Sequence, residues 1–342
     1  MKCIVLKNLF ITIVFITICL SAQVGFSAGK VVELRFAQFH PAVDPAAIII
    51  SEWCKEVMKR TEGRVKVTHY PGGTLSGPVQ TYDNVIKGVI DIGDPPIGYN
   101  AGKFPLSEVF DYPLGSPSTA VSTKLVNAYY AKFKPKEFDQ VKILYFHSTP
   151  PCYLYTKTKP VRNLADLKGM KIRTIGQTAK MIQYLGGVPV GMSIGEIYDS
   201  LSRGVVDGIL SADLALKTWK TGEVIKYATR NRSTAYSTVF VVAMNTNKWA
   251  SIEPRDQKVI EQINEEWIKK QAKVWEAQDI DGQKYIKERG IEIIELSQEE
   301  NALWAAKATP LFDAYVKATK EKGLPGDEVL NFAREFIKQN SK

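Results

Sequence analysis

From residue 254 to residue 289 the chain contains no proline after Pro254 and a single glycine, Gly282. As one helix rising 1.5 Å per residue, this stretch would be about 50 Å long, more than the diameter of an ordinary domain. A helix of that length cannot be housed in one core. It has to run along two bodies and couple them, and Gly282 is expected to mark a bend.

The sequence before the helix supplies two bodies. VVELRFAQF at 31–39 reads as a strand, Pro45 opens an amphipathic helix to about residue 61, and RVKVTHY at 64–70 is a second strand. A helix over 79–87, a short strand over 89–93, a helix over 119–133 and a strand over 141–146 follow. His147-Ser148-Thr149-Pro150-Pro151 is the expected crossing into the second body. There 152–156, 170–174, 188–190, 205–210 and 224–228 read as strands, with helices over 177–185 and 193–202. The strand at 236–245 is long enough to return to the first body. After the long helix come a strand at 291–296, one helix over about 298–319 and another over 326–338. Strands alternating with helices argue for parallel α/β sheets. The expected boundaries are 30–148 with about 237–270 for one lobe, and 149–236 with about 271–342 for the other.

Residues 1–28 read as a secretory signal peptide rather than fold. Lys2 and Lys7 form a basic start, 9–20 (LFITIVFITICL) an apolar core too short to span a membrane, and 21–29 a small-residue tail. Gly25 with Ser27, or Ser27 with Gly29, fits a cleavage site; an uncleaved anchor is the alternative. The leader carries two lysines and no acids, so the formal charge of +9 becomes +7 without it. That charge is spread along the chain with no basic block, which sets nucleic acid aside. Cys3 and Cys19 leave with the leader. Cys54 and Cys152 remain, either as a single bridge or, more commonly for such a pair, as small core residues.

Within the second body, Asn163 to Thr174 (NLADLKGMKIRT) places one cation with care. Asn163 can cap a short helix, Gly169 ends it, and Met170-Lys171-Ile172-Arg173 alternates as a half-buried strand does. Arg173 thus falls at the carboxyl end of a strand, the edge where open α/β sheets bind ligands. A guanidinium there offers a rigid fork for a carboxylate. The alternative is an ordinary surface ion pair.

Other chemistry is weaker. Gly191-Met192-Ser193-Ile194-Gly195 spells a nucleophile elbow, but His40, His69 and His147 all precede it, the wrong order for an α/β-hydrolase. Ser193 reads better as the cap of a helix carrying Glu196, with a serine hydrolase kept as the alternative. There is no metal-ligand spacing and no phosphate-cradling glycine motif, so neither a metal nor any cofactor is expected. Residues 94–117, rich in Pro, Gly and aromatics including Tyr99, form the kind of long loop that serves function beside strand ends.

The pieces GRVKVTHYPGGTLSG (63–77), VIKGVIDIG (85–93), LADLKGMKIRT (164–174), EIYDSLSRGVVDG (196–208) and VAMNTNKWASI (242–252) stand in one order along the chain. In them the chain resembles the extracytoplasmic solute-binding subunits of TRAP transporters, of the C4-dicarboxylate-binding DctP type. The resemblance implies a two-lobed α/β periplasmic binding-protein fold, with the ligand cleft between lobes and a long helix spanning both. It implies no catalysis but capture of an organic acid in the periplasm, hinge closure, and delivery to a small and a large membrane subunit. The family's carboxylate-binding arginine matches Arg173. Many members carry a second arginine where Cys152 stands here, and an amide side chain where Ser211 stands. The expected ligand is therefore a monocarboxylate with an apolar or aromatic body, such as a 2-oxo or 2-hydroxy acid. Tyr153, Tyr236, His40 and Tyr99 are expected to shape the rest of its site.

Overall fold

The computed structural model describes residues 31–341. The leader read over residues 1–28, with Cys3 and Cys19, lies outside them.

Chain order in the first half is β1 (Val32–Ala37), α1 (Pro45–Arg60), β2 (Val65–Tyr70), α2 (Thr81–Ile86), β3 (Ile92–Gly93), α3 (Thr119–Phe133) and β4 (Val141–Ser148). Asp44 starts α1 by accepting a hydrogen bond from Ala46 N at 2.8 Å, with Pro45 in the first turn, where its missing N–H is not needed. Ile49, Ile50, Trp53 and Val57 then form its buried face. The second body contains β5 (Tyr153–Thr156), α4 (Leu164–Leu167), β6 (Lys171–Thr174), α5 (Thr178–Tyr184), β7 (Val188–Gly191), α6 (Ile197–Ser202), β8 (Gly208–Ser211), α7 (Asp213–Thr218) and β9 (Tyr227–Arg230). The chain ends with β10 (Val239–Asn245), α8 (Thr246–Ala250), α9 (Pro254–Glu288), β11 (Glu292–Glu295), α10 (Gln298–Ala308), α11 (Pro310–Glu321) and α12 (Gly326–Asn340).

Two sheets result, ordered β2-β1-β3-β10-β4 and β11-β9-β5-β8-β6-β7. They are mixed, not parallel as the alternation of elements suggests. β1 runs parallel to β2 and β3, but β10 is antiparallel to both β3 and β4; β5 is antiparallel to β8 and β9. The cause is the double crossing between lobes. The outgoing segment after β4 and the returning one before β10 lie side by side in opposite directions, with Thr149 N donating to Thr238 O at 2.9 Å and Cys152 N to Tyr236 O at 2.6 Å. Strands fed by two such connections have to oppose each other.

Helix α9 is continuous over 35 residues. Its first half packs on α1, where Trp53 Nε1 donates to Asn264 Oδ1 and Trp267 Nε1 to Ile49 O, each at 2.9 Å. Farther along it packs on α7 of the other lobe. The helix runs unbroken through Gly282, which marks a close approach. A Cβ there would overlap the backbone at Asp213 and Leu214, so the glycine lets α9 lie directly on the start of α7.

Three further expectations change. The helix read over 193–202 begins as a 3₁₀ turn, Ile194–Glu196, before α6. The one read over 298–319 divides at Pro310 into α10 and α11. Residues 310–340, assigned to the second lobe, rest largely on the first. Tyr315 donates to Leu106 O at 2.8 Å, and Phe332 packs edge-on against Phe133 of α3 at 5.6 Å. The one-sided apolar face of α12 (Val329, Leu330, Ala333, Ile337) is the physical reason, since it needs an apolar partner to bury it. Cys54 and Cys152 are both buried and, among the described residues, unbridged.

Candidate functional site

Asn163 accepts a hydrogen bond from Asp166 N and caps α4, Gly169 turns with φ of 76°, and β6 then pairs in parallel with β7 and β8. Arg173 sits opposite Val190 and Ile209 in that register, next to the end of its strand. It is 3% exposed. Its Nε donates to Met192 O at 3.1 Å and its Nη2 to Tyr99 Oη at 2.9 Å. That uses two of the five N–H groups of a guanidinium. Arg230, the other arginine of comparable burial, is paired with Asp213 at 2.8 Å; Arg173 pairs with no carboxylate among the described residues.

Around Arg173 lies a cavity open to solvent, with about 520 Å³ of non-atom space when the adjoining solvent is counted. One wall is aromatic: Phe39, Trp219, Phe240 and Trp275, contributed by four separate segments. Phe39 stacks nearly parallel to Trp219 and to Phe240, with centroids 6.3 and 6.2 Å apart. Among its lining residues Arg173 is the sole lysine or arginine.

Behind this wall a polar network fixes its rings. Trp275 Nε1 donates to His147 Nδ1 at 2.9 Å, so the His147 proton sits on Nε2 and is donated to Asp94 Oδ1 at 2.9 Å. Asp94 also accepts from Gln38 Nε2 at 2.9 Å. Burial favours protonation of Asp94, but the hydrogen bonds from the facing His147 and from Gln38 hold the carboxyl below its usual range. His147 in turn stacks on Phe240 at 4.8 Å.

Six of the seven residues expected from the sequence meet in this cavity: Arg173, Tyr99, Cys152, Ser211, Tyr236 and His40. Tyr153 does not. Its ring lies under the Arg230 guanidinium, 4.6 Å away, on the far side of the sheet from a site that the strand alternation gives to Cys152. The Cys152 thiol is pushed up to about 12 by burial, so it lines the wall as a neutral group. Burial likewise keeps the Tyr236 phenol protonated. Ser193 heads the 3₁₀ turn as a cap, with its backbone N–H donating to Glu196 Oε2 at 2.8 Å. Among the described residues no three His, Cys, Asp or Glu side chains cluster as metal ligands.

The aromatic wall and the His147 network were missed by sequence reasoning. Trp275 lies eight positions after Trp267 on one helix face, a signal of burial but not of a ligand. Nothing in the sequence joins Phe39, Trp219 and Phe240.

Both lobes reach over the site. Tyr99, on the turn Ile97–Tyr99 after β3, accepts from Arg173 Nη2 and from Ile194 N, each at 2.9 Å. Nearby, Gln177 Nε2 donates to Glu108 Oε2 at 2.6 Å. Asp111 accepts from Val239 N at 2.9 Å on the same seam, and burial pushes its carboxyl up to about 8, so it is protonated at neutral pH.

Residues 36–319 match the family model described as bacterial extracellular solute-binding protein, family 7. The chain is similar to a solved TRAP periplasmic solute-binding protein from Desulfovibrio salexigens, with 33% identity and a TM-score of 0.80 over 91% of this chain and 97% of that one. It is similar to a TRAP solute-binding protein from Rhodoferax ferrireducens in complex with copurified benzoate (29% identity, TM-score 0.85, 91% and 98% covered). A marine metagenome TRAP solute-binding protein specific for aromatic acid ligands, in complex with metahydroxyphenylacetate, matches at 28% identity and a TM-score of 0.85, covering 91% of this chain and all of the other.

Proposed function

The chain belongs to the bacterial extracellular solute-binding proteins of family 7, the binding subunits of TRAP transporters, and from that premise we propose that its ligand is an aromatic monocarboxylate. One observation carries the reading: Arg173 is a buried cation without a carboxylate partner among the described residues, set at the edge of an aromatic cavity. An unpaired buried charge is costly, and arginine does not escape by losing its proton. A ligand carboxylate offsets that penalty through the free N–H groups, while Phe39, Trp219, Phe240 and Trp275 cover an apolar body. A second carboxylate would find no second cation among the lining residues, which disfavours dicarboxylates.

In this reading the protein transforms nothing. It works in the periplasm after its leader is removed, and hands the acid to the membrane subunits. The two lobes, one built on each sheet, hinge at the paired crossings near 149–152 and 236–238. Benzoate and metahydroxyphenylacetate in the related structures support the ligand class. Ser193 as a nucleophile has no such support, since its place is that of a helix cap.

A calorimetric and thermal-shift screen of the mature protein tests the proposal. Aromatic monocarboxylates are expected to raise its melting temperature and to titrate with one-to-one stoichiometry. Tight binding of succinate or a sialic acid, with no response to aromatic acids, would overturn it.

A further inference from the structure

Arg173 accounts for one polar end of the cavity and leaves another unexplained. His40 follows Phe39 at the end of β1, lines the cavity and is 4% exposed. It is set among rings, stacked on Phe39 at 4.3 Å with Trp275 and Phe240 at 5.7 and 5.8 Å. Nδ1 is enclosed and has no hydrogen-bond partner. Nε2 has none among the described residues either, yet it is not enclosed, which leaves it as the nitrogen that faces the cavity. Burial holds the imidazole below its usual range and therefore neutral.

A neutral imidazole carries one proton. An enclosed N–H without an acceptor is the costlier arrangement, so the proton belongs on Nε2, where it points at whatever fills the cavity. His147, behind the same wall, holds its proton on the same nitrogen, but there Asp94 receives it. For His40 no acceptor lies within hydrogen-bond distance among the described residues. The His40 ring packs against Phe39, Phe240 and Trp275, whereas Tyr99 and Met192 are the partners of Arg173, so the missing acceptor is assigned to the body of the ligand and not to its carboxylate.

We propose that His40 is a specificity-determining residue that donates from Nε2 to an oxygen substituent on the ligand's ring, which makes the preferred ligand a ring-hydroxylated aromatic acid. This rests on the aromatic-monocarboxylate reading above and narrows it. Without the substituent the imidazole N–H is desolvated and unpaired, and sites built to bond a hydroxyl discriminate against analogues that lack it.

Calorimetric titration with benzoate, 3-hydroxybenzoate and 4-hydroxybenzoate tests the proposal. The wild-type protein is expected to bind one hydroxylated isomer at least about tenfold more tightly than benzoate. His40→Phe is expected to erase that ratio, and its circular dichroism and melting curve show that the variant is folded. His40→Gln, which keeps an amide donor, should restore part of it. If His40→Phe loses benzoate as well, the ratio in His40→Gln decides: a retained preference supports the proposal and an absent one overturns it. Equal wild-type affinity for benzoate and both isomers overturns the role of His40 alone. Absence of binding by all three overturns it together with the aromatic-acid reading.

Discussion

Arg173 and Arg230 are buried alike in the second sheet, and their surroundings give them opposite tasks. Arg230 is held by Asp213, which also accepts from the Tyr155 hydroxyl, so its charge is balanced within the protein. Arg230→Ala would strand Asp213 in the core and is expected to lower stability by about 3–5 kcal/mol with the site's chemistry intact, as chemical denaturation would show. Arg173→Ala is expected to do the reverse. It should leave stability nearly unchanged and weaken ligand binding by roughly 2–5 kcal/mol, a factor of tens to thousands in calorimetry. Arg173 was legible in the sequence because a capped turn, a glycine stop and an alternating strand all lie within twelve neighbouring residues. His147 was not, because Asp94 and Trp275, which give it meaning, lie 53 and 128 positions away. A third residue-level effect concerns Asp111, pushed up to about 8, and Asp279, up to about 7, in both cases by burial. Between pH 6.5 and 8 the folded protein holds protons on these carboxyls that the unfolded chain has already released. Stability must therefore fall as pH rises through that window, by at most about 1.4 kcal/mol per unit for each group. His40 and His69, both held low, are neutral in the folded protein, and because an unfolded histidine titrates near 6.5 they oppose the trend at the acid end of the window, so the decline is read above about pH 7.5. Melting curves of Asp111→Asn should show a shallower decline than wild type, since an amide keeps the bond from Val239 N without a proton to lose.

At the scale of elements, α9 shows what length can and cannot specify. Its run without proline disclosed a helix that must cross two bodies, and that is where it lies. What the glycine within it packs against was not legible, because helix periodicity carries no information about what lies outside. Gly282 is small for the sake of α7, whose first residues would collide with any side chain there. Gly282→Ala is accordingly expected to destabilise the protein, by about 1–3 kcal/mol as overpacked sites do, despite the better helix propensity of alanine. Equilibrium denaturation checks this, and a stabilised variant would show the contact between α9 and α7 to be looser than described. The sheets teach the same lesson. Strand patterns were read at nearly the right places, but direction depends on how crossings pair in space. Thr149 and Cys152 meet Thr238 and Tyr236 across more than eighty residues, so no local pattern reveals that β5 and β10 run against their neighbours. Pro310 is the opposite case, a local break that the apolar spacing on either side concealed.

For the molecule as a whole, the decisive hydroxyl is that of Tyr99. It sits on the lobe of β3 and accepts from two donors of the other lobe, Arg173 Nη2 and Ile194 N. With both lone pairs engaged it still has a proton to donate. A carboxylate held on the free face of Arg173 is the natural acceptor, so the ligand would complete a circuit that links anchor, strap and opposite lobe. The lobes already approach closely here: a Cβ on Gly176, whose φ is 49°, would stand 3.0 Å from Gly98 Cα. A ligand shifts such an equilibrium only by its difference in affinity for the open and closed forms. Contacts made through Tyr99 join the two lobes and are expected to be lost on opening, whereas those made through Arg173 rest on one lobe. Tyr99→Phe should therefore weaken binding mildly, by about three- to tenfold, mainly through faster dissociation. Small-angle scattering on saturation should show the radius of gyration falling less than in wild type. Arg173→Ala, by contrast, should abolish both binding and compaction at the same ligand concentration. If Tyr99→Phe bound and compacted like wild type, closure would have to be driven by the aromatic wall, and the hydroxyl would be a bystander to it.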